Sequence, residues 1–193
     1  GHDLKTPLAS LRGRVESVED DTDREKMVAS IDEMVTILDD ILTLARLGKS
    51  GEALQSVDIG ALAESIAGEF PAATFAEPET RIVAQVRPVL LRRALRNLID
   101  NAVTYGKTAA VSVHQTGSFT KVEICDDGPG VPQELMEGLF EPFTRTDASR
   151  NRATGGSGLG LTIARAIARS HNGDVQLENR TEGGLRAILS FKT

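Results

Sequence analysis

The sequence predicts an α+β chain in two parts. An antiparallel helical hairpin, half of a dimeric four-helix bundle, precedes an α/β sandwich whose mixed sheet is covered by helices on one face. Three observations predict this. Through residue 48, apolar residues recur at alternating steps of three and four. The short stretch Gly48-Lys49-Ser50-Gly51 then breaks the pattern. From about Val57 onward, helical periodicity and strand-like alternation take turns, with glycine turns between neighbouring strands.

The first helix places Leu4, Leu8, Leu11, Val15 and Val18 on one seam. The second places Met27, Ile31, Met34, Leu38, Ile41 and Ala45 on another, widened by Val28, Val35 and Leu42. Between them lies an acidic run, and Thr22-x-x-Glu25 matches a capping box that would start the second helix. That helix is expected to reach about Leu47. A two-sided seam of this length favours pairing with a second copy; packing on the chain's own C-terminal part is the plainer alternative.

Residues 49–56 read as a linker. Asp58 then fits a helix cap, with the helix running through about Phe70. Arg81 to Val86 alternates like a strand. Pro88 suits the first position of a helix ending near Tyr105. Residues 109–115 and 119–125 form a hairpin turning at Thr116-Gly117-Ser118. A loop rich in Gly, Pro, Asp and Arg extends from Asp126 to about Ser157. Residues 159–170 form a helix, and residues 174–178 and 185–191 a last hairpin turning at Glu182-Gly183-Gly184. No internal repeat is present.

Composition narrows the function. The 193 residues are 40% hydrophobic, only 4% aromatic and lack Trp, which suits a soluble core of Leu, Ile, Val and Ala. The formal net charge of -6, without a basic run, argues against a nucleic-acid partner. One cysteine, Cys125, excludes an intramolecular disulfide and a Cys/His metal cluster, and reads as a small buried strand residue. No apolar stretch approaches the ~20 residues of a membrane span. The chain starts at Gly1 rather than Met, so a natural upstream segment is expected.

Four groups carry chemistry. Asn97-x-x-x-Asn101 puts two amides on one helix face, and amide oxygens suit Mg²⁺ beside substrate phosphates. Asp126-Asp127-Gly128-Pro129-Gly130 follows a strand, where a carboxylate can accept from an adenine amino group. Leu139-Phe140-Glu141-Pro142-Phe143-Thr144-Arg145 sets two phenylalanines in a polar region, to pin a loop or to form a satellite core. Gly155-Gly156-Ser157-Gly158-Leu159-Gly160 opens a helix, whose free N–H groups attract phosphate. Its spacing is not that of a dinucleotide fold, and no Walker A site exists, since Thr43 and Asn101 stand where the first glycine belongs. Each group taken singly has an ordinary structural explanation. Their order and spacing together do not.

In that order they resemble the N, G1, F and G2 boxes of the sensor histidine kinases, whose ATP-binding domain belongs to the Bergerat (GHKL) group shared with gyrase B, Hsp90 and MutL. His2-Asp3-Leu4-Lys5-Thr6-Pro7-Leu8 resembles the H box of the same kinases. The resemblance covers nearly the whole chain. It implies a phosphotransfer and dimerisation hairpin over 1–48, a linker over 49–56, and an ATP-binding domain over 57–193 with a lid at about 131–157.

The resemblance implies that His2 is the phosphoacceptor, Asp3 its acidic neighbour, and Thr6 the residue that positions water for dephosphorylating the partner. The seam phase sets His2 and Thr6 on an outward flank, and Pro7 would bend the helix there. Asn101 matches the Mg²⁺ ligand and Asn97 its polar companion; Tyr105 also fits. Asp126 matches the adenine-reading carboxylate. Gly128, Gly130, Gly156, Gly158, Leu159 and Gly160 match residues that frame the nucleotide, and Arg145, with Arg150 and Arg152, matches lid charge. Thr104 departs from the family, which usually has Lys or Arg there; Lys107 or a lid arginine would have to substitute. His114 and His171 read as structural.

The expected activity is therefore ATP-dependent phosphorylation of His2, then transfer to an aspartate of a response-regulator receiver domain, with dephosphorylation of that partner as a further activity. The parent would be a bacterial inner-membrane sensor with this core in the cytoplasm, joined to the membrane only through upstream segments. Two alternatives stand beside this: a GHKL ATPase without phosphotransfer, and a degenerate kinase serving as a dimeric scaffold.

Overall fold

The computed structural model describes residues 8, 11–13, 15, 20–47, 51–144 and 157–193. His2, Asp3, Thr6, Arg145 and Gly156, with Arg150 and Arg152, lie outside them.

The described residues of the first helical stretch (8, 11–13 and 15) are helical and run beside α1, Asp21–Arg46. Val15 and Ile31 are buried, and Arg12 pairs with Asp32 at 2.6 Å. The cap of α1 is Asp20, which accepts the Asp23 N–H at 3.0 Å. Thr22 lies inside the first turn, so the expected capping box does not form. An aspartate two residues earlier supplies both the acceptor and a negative charge to the helix N-terminus.

Only Ile31 of the seam expected on α1 is buried. Met27, Met34 and Ile41 stand 43–44% exposed on one stripe. A different strip, Ile37, Leu44 and Leu47, packs against the core of the C-terminal part. The helix thus serves three directions, one toward the preceding helix, one toward the C-terminal part and one outward.

Two short strands were not expected. β1 (Gln55–Asp58), inside and beyond the presumed linker, pairs antiparallel with β3 (Val83–Val86). β2 (Ala73–Ala76) pairs parallel with β4 (Ala109–Thr116). Their polar or small residues give little alternation to read. Between β1 and β2 runs α2 (Ile59–Ala67), capped by Asp58, which accepts the Ala61 N–H at 3.1 Å. β4, β5 (Phe119–Cys125), β7 (Leu185–Lys192) and β6 (Asp174–Asn179) complete an antiparallel series, so the five-stranded sheet has the order β2-β4-β5-β7-β6. The sheet is mixed, as expected.

α3 (Pro88–Gly106) and α4 (Gly160–Ser170) lie with α2 over the sheet. Leu95, Leu98 and Ile99 of α3 and Ile163 and Ile167 of α4 meet Val111, Val122, Ile124 and Leu189, all fully buried. Burying each such side chain contributes roughly 1.5–3 kcal/mol before entropy is counted. Cys125, at the end of this pattern, is only half-buried, and partial burial pushes its thiol upward.

Both ends of α3 are fixed. Glu52 accepts the Val89 and Leu90 N–H groups at 2.7 and 3.3 Å. Buried His171 accepts the Arg87 N–H through Nε2 at 3.0 Å and donates from Nδ1 to the Ile167 carbonyl at 2.8 Å. That assigns the neutral Nδ1-protonated ring, and burial pushes its pKa down. At the other end Lys107 takes a left-handed conformation, φ 70°.

Candidate functional site

Residues i, i+4 and i+8 of a helix share a face. α3 accordingly presents Asn97, Asn101 and Tyr105 to one cavity of about 720 Å³. Gly130 and Gly158 also line it, with Gly160 and Asp126. A small-molecule site has this size. Ile124, Leu177, Leu185 and Ala187 of the sheet and Leu135 of the following loop supply an apolar wall.

Asp126 sits at the end of β5, 8% exposed. Its Oδ1 accepts the Gly128 N–H at 2.8 Å and the Leu185 N–H at 3.1 Å. Among the described residues both bonds go to Oδ1, which leaves Oδ2 for a ligand's donor. Neither Gly128 nor Leu159 lines the cavity. Gly128 tolerates no Cβ, which would come 2.9 Å from Asp126 Oδ1, so it shapes the carboxylate's seat. The Leu159 side chain is in the core.

The Asp126 turn is braced by residues the sequence reading did not single out. Arg180 donates to the Asp126 carbonyl at 2.6 Å and to Asp127 Oδ1 at 3.0 Å. Thr108 donates to Asp127 Oδ2 at 2.7 Å, and these bonds, Thr108 first, hold the Asp127 carboxyl below its usual range. Asn179 clamps Val131 at both its N–H and its carbonyl. A Cβ on Gly106 would lie 2.2 Å from Asp126 Cβ, and one on Gly184 1.9 Å from the Asp126 carbonyl oxygen. These partners are distant in sequence, and apart from Gly184 in its hairpin turn no local pattern marks them.

On the opposite side, Asn97 Nδ2 donates to the Gly160 carbonyl at 3.2 Å, tying α3 to the start of α4. Gly158, φ 68°, accepts the Phe143 N–H at 3.0 Å, and a Cβ there would strike the Phe143 backbone at 2.9 Å. The two phenylalanines behave differently. Phe140 packs on the core with the Arg165 guanidinium 4.2 Å above its ring, while Phe143 is 61% exposed.

Helix α1 closes the cavity with Ala29, Asp32, Glu33, Thr36 and Asp40. Among the described residues the lining carries five carboxylates (Asp32, Glu33, Asp40, Asp100 and Asp126) and neither Lys nor Arg. Thr104 and Lys107 are not part of it. An apolar slot with one buried carboxylate suits a heteroaromatic base bearing an amino group. The facing amides and glycine turn suit phosphates with a hard cation, for which the Asn101 amide oxygen is the right kind of donor.

Comparison with known proteins shows which families the chain matches. The family described as "Histidine kinase-, DNA gyrase B-, and HSP90-like ATPase" matches residues 86–193, and the "His Kinase A (phospho-acceptor) domain" matches residues 1–50. The chain is 38% identical to the sensor histidine kinase GtrS of Pseudomonas aeruginosa, over 97% of this chain and 39% of that protein. It is 30% identical to the signal transduction histidine-protein kinase BaeS of Escherichia coli, over 98% of this chain and 44% of that protein. It thus spans less than half the length of these relatives. Among solved structures, full-length ShkA in complex with AMPPNP has a TM-score of 0.79 at 24% identity, covering 98% of this chain and 44% of that one, a likeness of fold. The ATP binding domain of PrrB from Mycobacterium tuberculosis has a TM-score of 0.59 at 27% identity, covering 72% of this chain and 97% of that one.

Proposed function

Because the chain belongs to the histidine kinase-, DNA gyrase B- and HSP90-like ATPases and carries the catalytic core of a sensor histidine kinase, we propose that it moves the γ-phosphate of ATP to His2 and then to an aspartate of a response-regulator receiver domain. The observation that carries this reading is one cavity with Asp126 on one side and Asn97 and Asn101 on the other, closed by helix α1.

In this reading residues 1–48 are the phosphotransfer and dimerisation hairpin, 49–56 a linker and 57–193 the ATP-binding domain, with a lid over about 131–157. Asp126 reads the adenine amino group through Oδ2. Tyr105, Gly130, Gly156, Gly158 and Gly160 frame the nucleotide, while Gly128 seats the Asp126 carboxylate and Leu159 anchors the start of α4 in the core. Asn97 holds the α4 turn in place, and Asn101 offers an amide oxygen to Mg²⁺. Bound there, Mg²⁺ would supply charge neutralisation to the triphosphate. The acidic lining makes that charge necessary, and Arg145 of the lid adds to it, in place of the basic residue that Thr104 lacks.

A neutral imidazole nitrogen of His2 attacks the γ-phosphorus. The new P–N bond forms as the bond from phosphorus to the β,γ-bridging oxygen breaks, and ADP leaves with that electron pair. Asp3 takes the ring proton. Thr6 positions water when the phosphorylated partner is dephosphorylated. Catalysis here is positioning and charge neutralisation.

Two copies pair through the Met27, Met34 and Ile41 stripe. No helix among the described residues is long and apolar enough to cross a membrane; the parent is proposed as a bacterial membrane sensor holding this core in the cytoplasm. The test is incubation with γ-labelled ATP and Mg²⁺. Acid-labile label is expected on the protein and absent from His2→Ala; label persisting on that variant sinks the assignment. Steady hydrolysis without any phosphohistidine would favour a plain ATPase.

A further inference from the structure

We propose that Asp40 is a positioning residue for nucleotide binding, making affinity for the nucleotide depend on docking of helix α1. This rests on the reading of the cavity as a nucleotide site. Asp40 is 6% exposed, in the middle of the Ile37, Leu44 and Leu47 strip through which α1 meets the C-terminal part. A carboxylate in an apolar contact is costly unless both oxygens are engaged. Both are. Oδ1 pairs with Arg93 Nη2 of α3 at 2.7 Å, and Oδ2 accepts the Ser157 hydroxyl at 2.8 Å. Arg93 is itself aimed, since its other terminal nitrogen donates to the Thr43 hydroxyl, which donates to the Asp39 carbonyl at 2.8 Å.

The direction of each bond at Ser157 is fixed by chemistry. An ionised carboxylate only accepts, so the hydroxyl proton points to Asp40. The Leu159 N–H only donates, so it uses a lone pair of the same hydroxyl, at 3.2 Å. Ser157 therefore holds the turn that carries Gly158 in its left-handed conformation and delivers Gly160 to Asn97. That turn is the phosphate side of the cavity. Its shape is set from α3 by Asn97 and from α1 by Asp40. When α1 leaves the C-terminal part, Ser157 loses its acceptor, Arg93 loses its counter-charge, and the turn keeps only its bonds to Asn97 and Phe143. Coupling between sites is reciprocal, so bound nucleotide must in turn favour the docked helix.

The experiment titrates a non-hydrolysable ATP analogue with Mg²⁺ into the full chain, with thermal melting of each variant as the folding control. Asp40→Ala and Ser157→Ala are each expected to weaken binding roughly tenfold, within the range usual for coupled sites. The double variant should be no weaker than the worse single one, because both changes break the same link. Ser157→Thr, which keeps the hydroxyl, should restore binding. Unchanged affinity in Asp40→Ala, or losses that simply add, overturns the proposal. Should Asp40→Ala not fold, Ser157→Ala against Ser157→Thr decides, and equal affinity of those two overturns it as well. Failure of the unaltered chain to bind the analogue overturns the reading of the cavity itself, which the first titration reveals before any variant is compared.

Discussion

Asn179 grips Val131 from both sides. Its amide oxygen accepts the Val131 N–H at 2.9 Å and its amide nitrogen donates to the Val131 carbonyl at 2.8 Å. Gly130 has no Cβ to obstruct this, where one would lie 2.5 Å from the Asn179 oxygen. The end of β6 therefore fixes the residue from which the loop over the cavity departs. Only an amide of this length offers an acceptor and a donor side by side.

Asn179→Ala removes both bonds at a partly solvated site. The expected loss of stability is about 1–3 kcal/mol, from two bonds of roughly 0.5–1.5 kcal/mol each. Nucleotide affinity should fall as well, since the loop's origin is no longer set. Denaturant melts and analogue titration check the two effects, and Asn179→Asp, which has no donor, should recover neither fully.

Asp126→Asn keeps an oxygen for the Gly128 and Leu185 N–H groups and so should fold. It turns an NH2 group toward the ligand, donor against donor. Binding of an adenine nucleotide is expected to weaken at least tenfold, about 1.4 kcal/mol. Isothermal titration measures this, and an unchanged dissociation constant would show that Asp126 does not read the base.

His171 links pH to stability. Burial, opposed in part by its bond to the Ile167 carbonyl, lowers its pKa, with the Arg87 charge lowering it further and Glu52 raising it. The folded state therefore binds fewer protons than the unfolded chain near and below the ordinary histidine value of about 6.5. Stability is fully present above that value and is lost as pH falls through the lower folded value. The lowered carboxylates of Asp58, Asp127 and Asp174 release their contribution only in more acid solution. Melting temperature should thus fall as pH drops below about 6.5, and His171→Gln, which retains an acceptor and a donor, should flatten that slope. Identical slopes would mean other groups are responsible.

The outward stripe of α1 should hold two copies together. Met34→Glu places a charge in its centre and is expected to halve the sedimentation mass while leaving the melting of the C-terminal part unchanged. A monomeric unaltered chain would remove the basis for the pairing.

Much of the fold was legible because its signals are local. α3 announces itself with Pro88 and a helical period, and the β4–β5 hairpin with alternation around Gly117, φ 60°. β1 and β2 were not legible. Four residues such as Ala-Thr-Phe-Ala carry no clear period, and pairing with β4 is what makes β2 a strand. The same division holds at the site. Asn97, Asn101 and Asp126 belong to short motifs, whereas Asn179, Arg180 and Asp40 act on partners tens of residues away. The seam expected on α1 is covered only at Ile31 within one copy, since a helix used on three sides shows no single stripe.

Gly106 stands against the Asp126 side chain and Gly184 against its carbonyl, each too close to admit another atom. Their joint effect concerns heredity as much as packing. Any side chain at either glycine collides with residue 126, so single nucleotide changes meet a dead end at both. A lineage carrying this carboxylate would be held to its present placement by two residues that carry no side chain at all.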